Sequence, residues 1–267
     1  MKLVDVHCHL NHKQFANDLD AVINRARKAG VVRIICAGVN PPTNREVLEL
    51  AKKYPDIVRC SLGAYPIDAL NIQIFSPDEM GLSATKNFDL DDEIEFIKKN
   101  KDFIVAIGEA GLDYKWDEPK KKAEEQKKNF KKVIELCEKI KKPLVVHSRR
   151  AEADCLDLLQ SSSLKAVDLH CFEGKKKLIK KAVDLGYYFS IPPVIQKLQH
   201  FETLVKEAPI TQLLTETDSP WLSGITGERN EPANVALTVK RIASLKGFND
   251  EETANTILMN YKRLFAD

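Results

Sequence analysis

The stretch VDVHCHL (Val4–Leu10) decides the interpretation of the chain, because it joins a short apolar run to two histidines one residue apart. Side chains two residues apart in a β-strand point to the same face. His7 and His9 are therefore expected to project together, and Cys8 to the opposite face. A strand that ends in this way presents metal-binding side chains at its carboxyl end, and the rest of the chain repeats the arrangement.

Eight short apolar runs of strand length follow one another along the chain, separated by segments of helical length. The runs are Leu3–Val6, Val31–Ala37, Ile57–Leu62, Phe103–Ile107, Leu144–Val146, Ala166–Leu169, Tyr187–Ile191 and Ile210–Leu214. Within Glu118–Lys142, apolar residues such as Phe130, Ile134 and Cys137 recur every three or four positions, which is typical of an amphipathic helix.

Strand–helix alternation in a chain of 267 residues predicts an α/β protein, a (β/α)8 TIM barrel formed by residues 1–267 as a single domain. An open, doubly wound sheet is the main alternative, but its phosphate-binding pattern G-x-G-x-x-G is absent. Gly30 and Gly186 stand where a helix gives way to a strand, as C-terminal caps do. In such a barrel the chemistry lies at the C-terminal ends of the strands.

Composition sets few limits on the partner. The 41 Lys and Arg residues nearly balance the 39 Asp and Glu, so the net charge of +2 neither favours nor excludes nucleic acid. The sequence has no apolar run near the roughly 20 residues that span a bilayer, and its first residues do not resemble a signal peptide. The six cysteines form no C-x-x-C pair. We therefore expect a cytoplasmic protein with buried free thiols and no membrane contact.

Residues with metal-binding side chains stand at the ends of other predicted strands. They are Glu109 after the fourth run, His147 after the fifth, His170 after the sixth, and Glu216 and Asp218 after the eighth. Burying a carboxylate requires a partner, and a cation shared with several imidazoles is a natural one. Together with the histidine pair of the first strand, these residues predict a divalent metal site at one end of the barrel.

Five motifs, in register with these strands, resemble the TatD family of metal-dependent hydrolases, which belongs to the amidohydrolase-like barrels. They are VDVHCHL (4–10), GEAGLD (108–113), PLVVHSRRA (143–151), LHCF (169–172) and TETDSPWL (215–222). The segments RNEPANV (229–235) and NYKRLF (260–265) also resemble the closing segments of that family. The resemblance thus covers essentially the whole chain.

The resemblance implies two divalent metal ions bound by six residues. They are His7 and His9 at the first ion, Glu109 between the two ions, His147 and His170 at the second, and Asp218 as the last ligand. It also implies catalytic roles for Glu109 and Asp218, which faces the attacking water. The activity implied is that of a deoxyribonuclease, of the 3′–5′ exonuclease type, acting on phosphodiester bonds. Ligation by nitrogen and oxygen suits Zn, Mn, Co, Ni or Fe, and Mg less well.

One position departs from the family pattern. Many TatD-like chains carry His-Pro after the third strand, whereas this chain has Tyr65 in the stretch LGAYPIDA. A phenol can donate a hydrogen bond to a phosphate, but it supplies no positive charge at pH 7. Tyr65, Arg149 and Arg150 are the predicted substrate-binding residues. The long segment 66–89 that follows is interpreted either as a lid or as a surface excursion with a local core.

For Asp113 in the GEAGLD motif, a role in supporting the site and a role in capping the turn are both left open. Several other nearby residues are given structural interpretations. Lys175–Lys177 and the lysine-rich stretch 119–142 are interpreted as solvated helix surface. Trp116 and Trp221 follow site motifs and are expected to pack in the core or at its rim rather than to stack on a base. Cys8 and Cys171 adjoin predicted ligands but are not expected to bind metal.

Other functions remain open at this stage. The ligand set is shared with barrel enzymes that hydrolyse carboxylic esters, amides or lactones, so an aminoacyl-tRNA deacylase is an alternative. A third hypothesis is that the protein binds nucleic acid in a metal-dependent way without catalysis, although a binder has no use for an open, water-bearing metal centre. The expected partner is a nucleic acid, DNA before RNA. The native metal, the choice between DNA, RNA and another ester as substrate, the polarity of an exonuclease and the oligomeric state are left undetermined by the sequence.

Overall fold

Strands and helices alternate in the predicted order in the structure, a computed structural model that describes residues 1–70, 72, 87–117 and 120–267. The strands are β1 (Leu3–Cys8), β2 (Val31–Ala37), β3 (Val58–Ala64), β4 (Ala106–Gly111), β5 (Leu144–His147), β6 (Val167–His170), β7 (Tyr188–Ile191) and β8 (Leu213–Thr215). Each strand is followed by at least one α-helix, as the sequence pattern predicted.

The described α-helices surround the strands. They are α1 (Leu19–Ala29), α2 (Pro41–Lys53), α3 (Leu90–Lys99), α4 (Ala123–Ile140), α5 (Glu152–Gln160), α6 (Lys176–Asp184), α7 (Gln199–Glu207), α8 (Val235–Lys246) and α9 (Asp250–Phe265). Gly30 ends α1 with a left-handed φ of 92°, the conformation expected of a C-terminal glycine cap. Among the helices in the described ranges, none has the length and apolar character needed to cross a membrane.

The strands form one parallel sheet in which each strand pairs with the next along the chain. The barrel is nearly closed where β8 approaches β1. There the Thr215 hydroxyl donates to the Val4 carbonyl at 2.6 Å, and the Asp218 N–H donates to the His7 carbonyl at 2.8 Å. The (β/α)8 barrel predicted from the sequence is confirmed.

Two strands begin three residues later than predicted, whereas the other strands begin within one residue of the predicted position. β4 begins at Ala106 rather than Phe103, and the Phe103 side chain is 67% exposed. At the last strand, Ile210–Gln212 forms a turn of 3-10 helix, and the strand proper is Leu213–Thr215. In both places apolar residues precede the strand and are not part of it. The chain must first turn from the preceding helix across the end of the barrel.

The predictions for the cysteines and for the long loop have different outcomes. All six cysteines are free thiols; five are buried and Cys171 is half-buried, as expected. The segment 66–89 was interpreted as a lid or as a surface excursion. Its residues 71 and 73–86 lie outside the described residues, so that interpretation is not tested.

The end of the barrel opposite the predicted site is tied together by the carboxylate of Asp267. It accepts hydrogen bonds from Arg33 Nε at 2.6 Å, Arg59 Nε at 2.7 Å and the Tyr261 hydroxyl at 2.7 Å. Arg33 lies on β2 and Arg59 on β3. The contact therefore links the second residue after α9 to β2 and β3.

We expect Asp267→Asn to lower the free energy of unfolding by about 1–2 kcal/mol, because it removes the charge from hydrogen bonds made by a largely shielded carboxylate. Urea unfolding followed by circular dichroism measures the change. Asp184→Asn, at an exposed position on α6, is the matched control. An unchanged midpoint for Asp267→Asn would show that the contact adds nothing to stability.

Candidate metal centre

Glu109 lies between two groups of imidazoles at the C-terminal end of the barrel. Its Oε2 is 3.4 Å from His7 Nε2 and 3.7 Å from His9 Nε2. Its Oε1 is 2.6 Å from His147 Nδ1 and 3.9 Å from His170 Nε2. Each oxygen of one carboxylate therefore faces a different pair of histidines, and these pairs come from β1 on one side and from β5 and β6 on the other.

Asp218 completes the group on the β1 side. Its Oδ1 is 3.4 Å from His9 Nε2 and 3.7 Å from His7 Nε2. Burial alone would lower the pKa of His9, but Asp218 and Glu109 raise it to about 9. Burial would raise the pKa of Asp218, but the hydrogen bond with His9 holds it below its usual value. The Asp218 side chain is 17% exposed and is therefore accessible from the mouth of the barrel.

A bulge in β4 aims the Glu109 side chain at the centre. Ile107 and Ala110 are three residues apart, whereas their partners on β3 are two apart, so β4 holds one extra residue there. The Glu109 N–H reaches the Gly38 carbonyl on the far side of β3, at 3.2 Å. A Cβ atom at Gly63 would lie only 2.4 Å from the Glu109 nitrogen, so a glycine is required where the backbones cross.

His7 shows that the residues present fit a metal ion. Both of its ring nitrogens are buried, and neither has a hydrogen-bond partner among the residues that the structure describes. Its donor atom lies within 4.8 Å of those of Glu109 and His170, and likewise of those of His9 and Asp218. A buried, unpaired imidazole is costly, and a divalent cation is the partner that would satisfy it.

Two of the other histidines are oriented by contacts behind them. His9 Nδ1 is 3.2 Å from the Ala37 carbonyl, and His170 Nδ1 is 2.7 Å from Glu216 Oε2. A proton held on each Nδ1 leaves each Nε2 free to bind metal. Of the two carboxylates predicted after β8, Glu216 therefore supports a histidine from behind, whereas Asp218 faces the donor group.

The acid of the site is ionised, and two of its histidines hold protons that bound metal ions would displace. Burial would raise the pKa of Glu109, but His147 and His7 hold it well below its usual range. Burial and the neighbouring His170 lower the pKa of His7, which therefore stays neutral. Burial would lower the pKa of His147, but Glu109 and Asp113 raise it to about 9. Bound cations would replace the proton that His147 holds here.

The sequence analysis did not identify Asp5 and Asp168 as part of this region. Asp5 accepts hydrogen bonds from the Thr217 N–H at 2.9 Å and from its hydroxyl at 2.6 Å. Burial, together with Glu216, raises the pKa of Asp168 to about 8. Each stands two residues before a predicted histidine ligand, so the alternation that identified the histidines also placed these acids on the inner face.

Two predicted substrate contacts engage a buried acid. The Tyr65 hydroxyl and Arg149 Nη2 lie 2.5 and 2.6 Å from Asp113 Oδ2. Arg150 is exposed, adopts a left-handed φ of 57°, and precedes α5 by two residues. Arg150 is thus on the surface of the mouth, whereas Tyr65 and Arg149 face inward.

Cys8 and Trp221 both have packing roles beside the centre. Cys8 lies in the buried core, with its thiol 3.5 Å from the Ile35 carbonyl, and it turns away from the site as expected. Neither Cys8 nor Cys171 belongs to the groups of donor atoms found in the described residues. The Trp221 ring meets the His9 ring edge-on, with centroids 5.4 Å apart, and so packs at the rim of the centre.

Known proteins are similar to this chain in sequence and fold along nearly their whole length. The profile described as "TatD related DNase" matches residues 4–266. Human deoxyribonuclease TATDN3 is 36% identical over 265 residues, covering 98% of this chain and 94% of the relative. The metal-dependent hydrolase YabD of Bacillus subtilis is 33% identical over 271 residues, covering 98% of each chain.

Among solved structures, YJJV, a TatD homologue from Escherichia coli, superposes with a TM-score of 0.85. It is 26% identical and covers 99% of this chain and 98% of its own. These matches span the barrel and every strand that carries a site residue. The chain therefore belongs to the TatD-related DNase family of metal-dependent hydrolases.

Proposed function

We propose that this hydrolase cleaves DNA phosphodiester bonds with two divalent metal ions and acts as a 3′–5′ exonuclease. The observation that carries the proposal is the position of Glu109, whose two oxygens face two separate pairs of histidines. Paired divalent ions suit phosphodiester cleavage, because both the attacking and the leaving oxygen need stabilisation. The deoxyribonuclease among its relatives supports DNA as the substrate, and the 3′–5′ direction is taken from the resemblance to the TatD family alone.

The residues divide into two metal positions. The β1-side position consists of His7, His9, Glu109 and Asp218, and the β5-side position consists of Glu109, His147 and His170. His7 also lies close enough to Glu109 and His170 for these three to share an ion. When bound, divalent ions there would neutralise charge on the phosphate and make water nucleophilic near neutral pH. Nitrogen and oxygen donors favour Zn, Mn, Co or Ni over Mg.

The chain's own residues supply the proton acceptor and its orientation. Asp218 is ionised at neutral pH and is accessible from the mouth, so it can accept the proton of the attacking water. His9 lies 3.4 Å from it and is fixed in turn by the Ala37 carbonyl. The N–H of Asp218 donates to the His7 carbonyl, which holds the acceptor at the closure of the barrel.

Basic residues at or just before the starts of three consecutive helices support a polyanionic substrate. Lys120–Lys122 precede α4, Arg149 and Arg150 precede α5, and Lys175–Lys177 span the start of α6, all on the same end of the barrel as Glu109. We call them the basic arc. The first turn of α6 contains no acidic residue, and cations at a helix N-terminus oppose its dipole. The placement is therefore unfavourable for the helix alone, whereas it suits a phosphate backbone.

Part of the basic arc is available to a ligand. Two of its lysines are paired with glutamates. The ion pairs are Lys122–Glu125 at 2.8 Å and Lys176–Glu207 at 2.7 Å. Lys121, Lys175 and Lys177 are exposed and form no ion pair within the described part of the chain. These three lysines therefore offer the clearest test of whether DNA crosses this surface.

Replacing Lys121, Lys175 and Lys177 together with Gln is expected to weaken binding of single-stranded DNA. The slope of log affinity against log salt should fall by about 2, since each lost phosphate contact removes about 0.7. Fluorescence anisotropy with Ca²⁺ in place of a catalytic ion measures both the affinity and its dependence on salt. The control is the triple Gln variant of Lys131, Lys180 and Lys240, which are exposed on the outer faces of helices. Equal salt slopes in the two variants would exclude the basic arc as the DNA path.

The proposed function is tested with end-labelled single-stranded and duplex DNA in Mg²⁺, Mn²⁺ or Zn²⁺, beside a sample with excess EDTA. Substrates blocked at the 3′ or the 5′ end determine polarity. We expect metal-dependent shortening that a 3′ block prevents. Shortening that only a 5′ block prevents would reverse the proposed direction. No cleavage by protein that holds metal would rule out the nuclease and direct the search to carboxylic esters and aminoacyl-tRNA.

A further inference from the structure

Asp113 is a buried acid that touches both the metal centre and the residues expected to contact substrate. Its side chain is inaccessible to solvent, and its Oδ2 lies 2.9 Å from His147 Nε2. The backbone of Asp113 is clamped by Gln126, which accepts from its N–H at 2.8 Å and donates to its carbonyl at 3.0 Å. The carboxylate is thus fixed independently of any substrate.

Two further residues hold the same oxygen. Arg149 donates to Asp113 Oδ2 through Nε at 2.8 Å and through Nη2 at 2.6 Å. The Tyr65 hydroxyl lies 2.5 Å from Oδ2 and accepts from Arg149 Nη2 at 2.7 Å. The Tyr65 ring also meets the His147 ring edge-on, with centroids 4.9 Å apart. Tyr65, Asp113 and Arg149 thus form one cluster behind His147, with members from the ends of β3, β4 and β5.

This contact determines which nitrogen His147 presents to the centre. A neutral imidazole carries one proton, and a carboxylate at Nε2 retains it there. The lone pair then lies on Nδ1, which faces Glu109 Oε1 at 2.6 Å. His9 and His170 depend on other groups, a main-chain carbonyl and Glu216, so the cluster touches one of the two proposed metal positions.

We propose that Asp113, held by Tyr65 and Arg149, is a positioning residue that sets the affinity of the β5-side metal position and leaves the β1-side position unchanged. The inference rests on the two-ion arrangement of the proposed function. It also gives Tyr65, at the position where the chain departs from the family pattern, a role that needs no positive charge. Its hydroxyl completes the set of donors around Asp113 instead of meeting a phosphate.

The test is a titration of metal-free protein with Zn²⁺ in competition with a chelator. It measures the affinity of the protein for each equivalent of Zn²⁺ and does not depend on activity. In Asp113→Asn the oxygen shared by His147, Arg149 and Tyr65 loses its negative charge, and we expect one equivalent to weaken by about 10–100-fold while the other changes less than about twofold. Tyr65→Phe should weaken the same equivalent by a smaller factor. Tyr114→Phe, which removes the hydroxyl donating to Asp154 at 2.6 Å outside the cluster, is the matched control.

Several outcomes would overturn the proposal. They are equal weakening of both equivalents, no weakening in Asp113→Asn, or the same loss in Tyr114→Phe. If wild-type protein binds a single equivalent, the two-ion part of the proposed function fails. The positioning role is then decided by nitrogen NMR of histidine in zinc-bound protein. His147 should carry its proton on Nε2 in the wild type and in Tyr114→Phe and lose that preference in Asp113→Asn, and an unchanged spectrum would refute the role.

Discussion

Asp218→Asn is expected to reduce DNA cleavage by about 10²–10⁴-fold, the range measured when a positioned acid or base is removed. The amide has the same shape as the carboxylate, but it cannot accept a proton from water. Because Glu109 remains, the variant should keep the metal position formed with His147 and His170. Loss of activity with metal still bound is therefore the expected result.

Initial rates on end-labelled DNA, together with metal content from elemental analysis, check this expectation. Asp184→Asn makes the same chemical change at an exposed position on α6 and should leave the rate unchanged. If Asp218→Asn cleaved DNA within about threefold of wild type, proton transfer would have to be assigned to another group. A non-catalytic, metal-dependent binder would also keep its biological effect in this variant.

Glu109→Gln is expected to reduce DNA cleavage at least as much as Asp218→Asn does, but for a different reason. Glutamine retains one neutral oxygen where the carboxylate offers an oxygen to each pair of histidines, so both metal positions should weaken. Metal ions contribute several kcal/mol to phosphodiester cleavage, and losing about 4 kcal/mol corresponds to roughly 10³-fold in rate. The same substitution at Glu135, which is exposed on α4, is the control.

The two substitutions can be told apart by metal content. Glu109→Gln should release metal during dialysis and recover some activity at high metal concentration, whereas Asp218→Asn should not recover. Full metal occupancy in Glu109→Gln would contradict the bridging position proposed for this residue. The comparison therefore tests separately the two catalytic roles that the resemblance implied.

The sequence predicted the barrel and the convergence of site residues because both depend on short-range patterns. Strand alternation places His7 and His9 on one face, and barrel topology brings the ends of β1, β4, β5, β6 and β8 together whatever the intervening helices contain. No single-sequence pattern specifies where a strand starts after a turn. For this reason the predicted start at Phe103 was wrong, although the strand and its Glu109 were present.

What the sequence did not reveal depends on contacts between distant loops. The support of His147 by Asp113 and of Asp113 by Tyr65 joins residues that are 34 and 48 positions apart, and their side chains meet only in the folded barrel. The bulge that aims Glu109 is indicated by a glycine beside it, yet the need for Gly63 arises on another strand. Asp5 and Asp168 could have been found by extending the alternation rule one step further.

The closure between β8 and β1 has a consequence for how the molecule is held shut. His7 and His9 lie near one end of the chain and Asp218 more than 200 residues later, yet their donor atoms form one group across the last gap in the sheet. An ion bound there would link the first strand to the residues that follow the last strand. Bringing together two chain segments so far apart in sequence carries an entropic cost. We therefore expect metal binding to stabilise the closed barrel, because an ion that binds only the folded state shifts the folding equilibrium toward it.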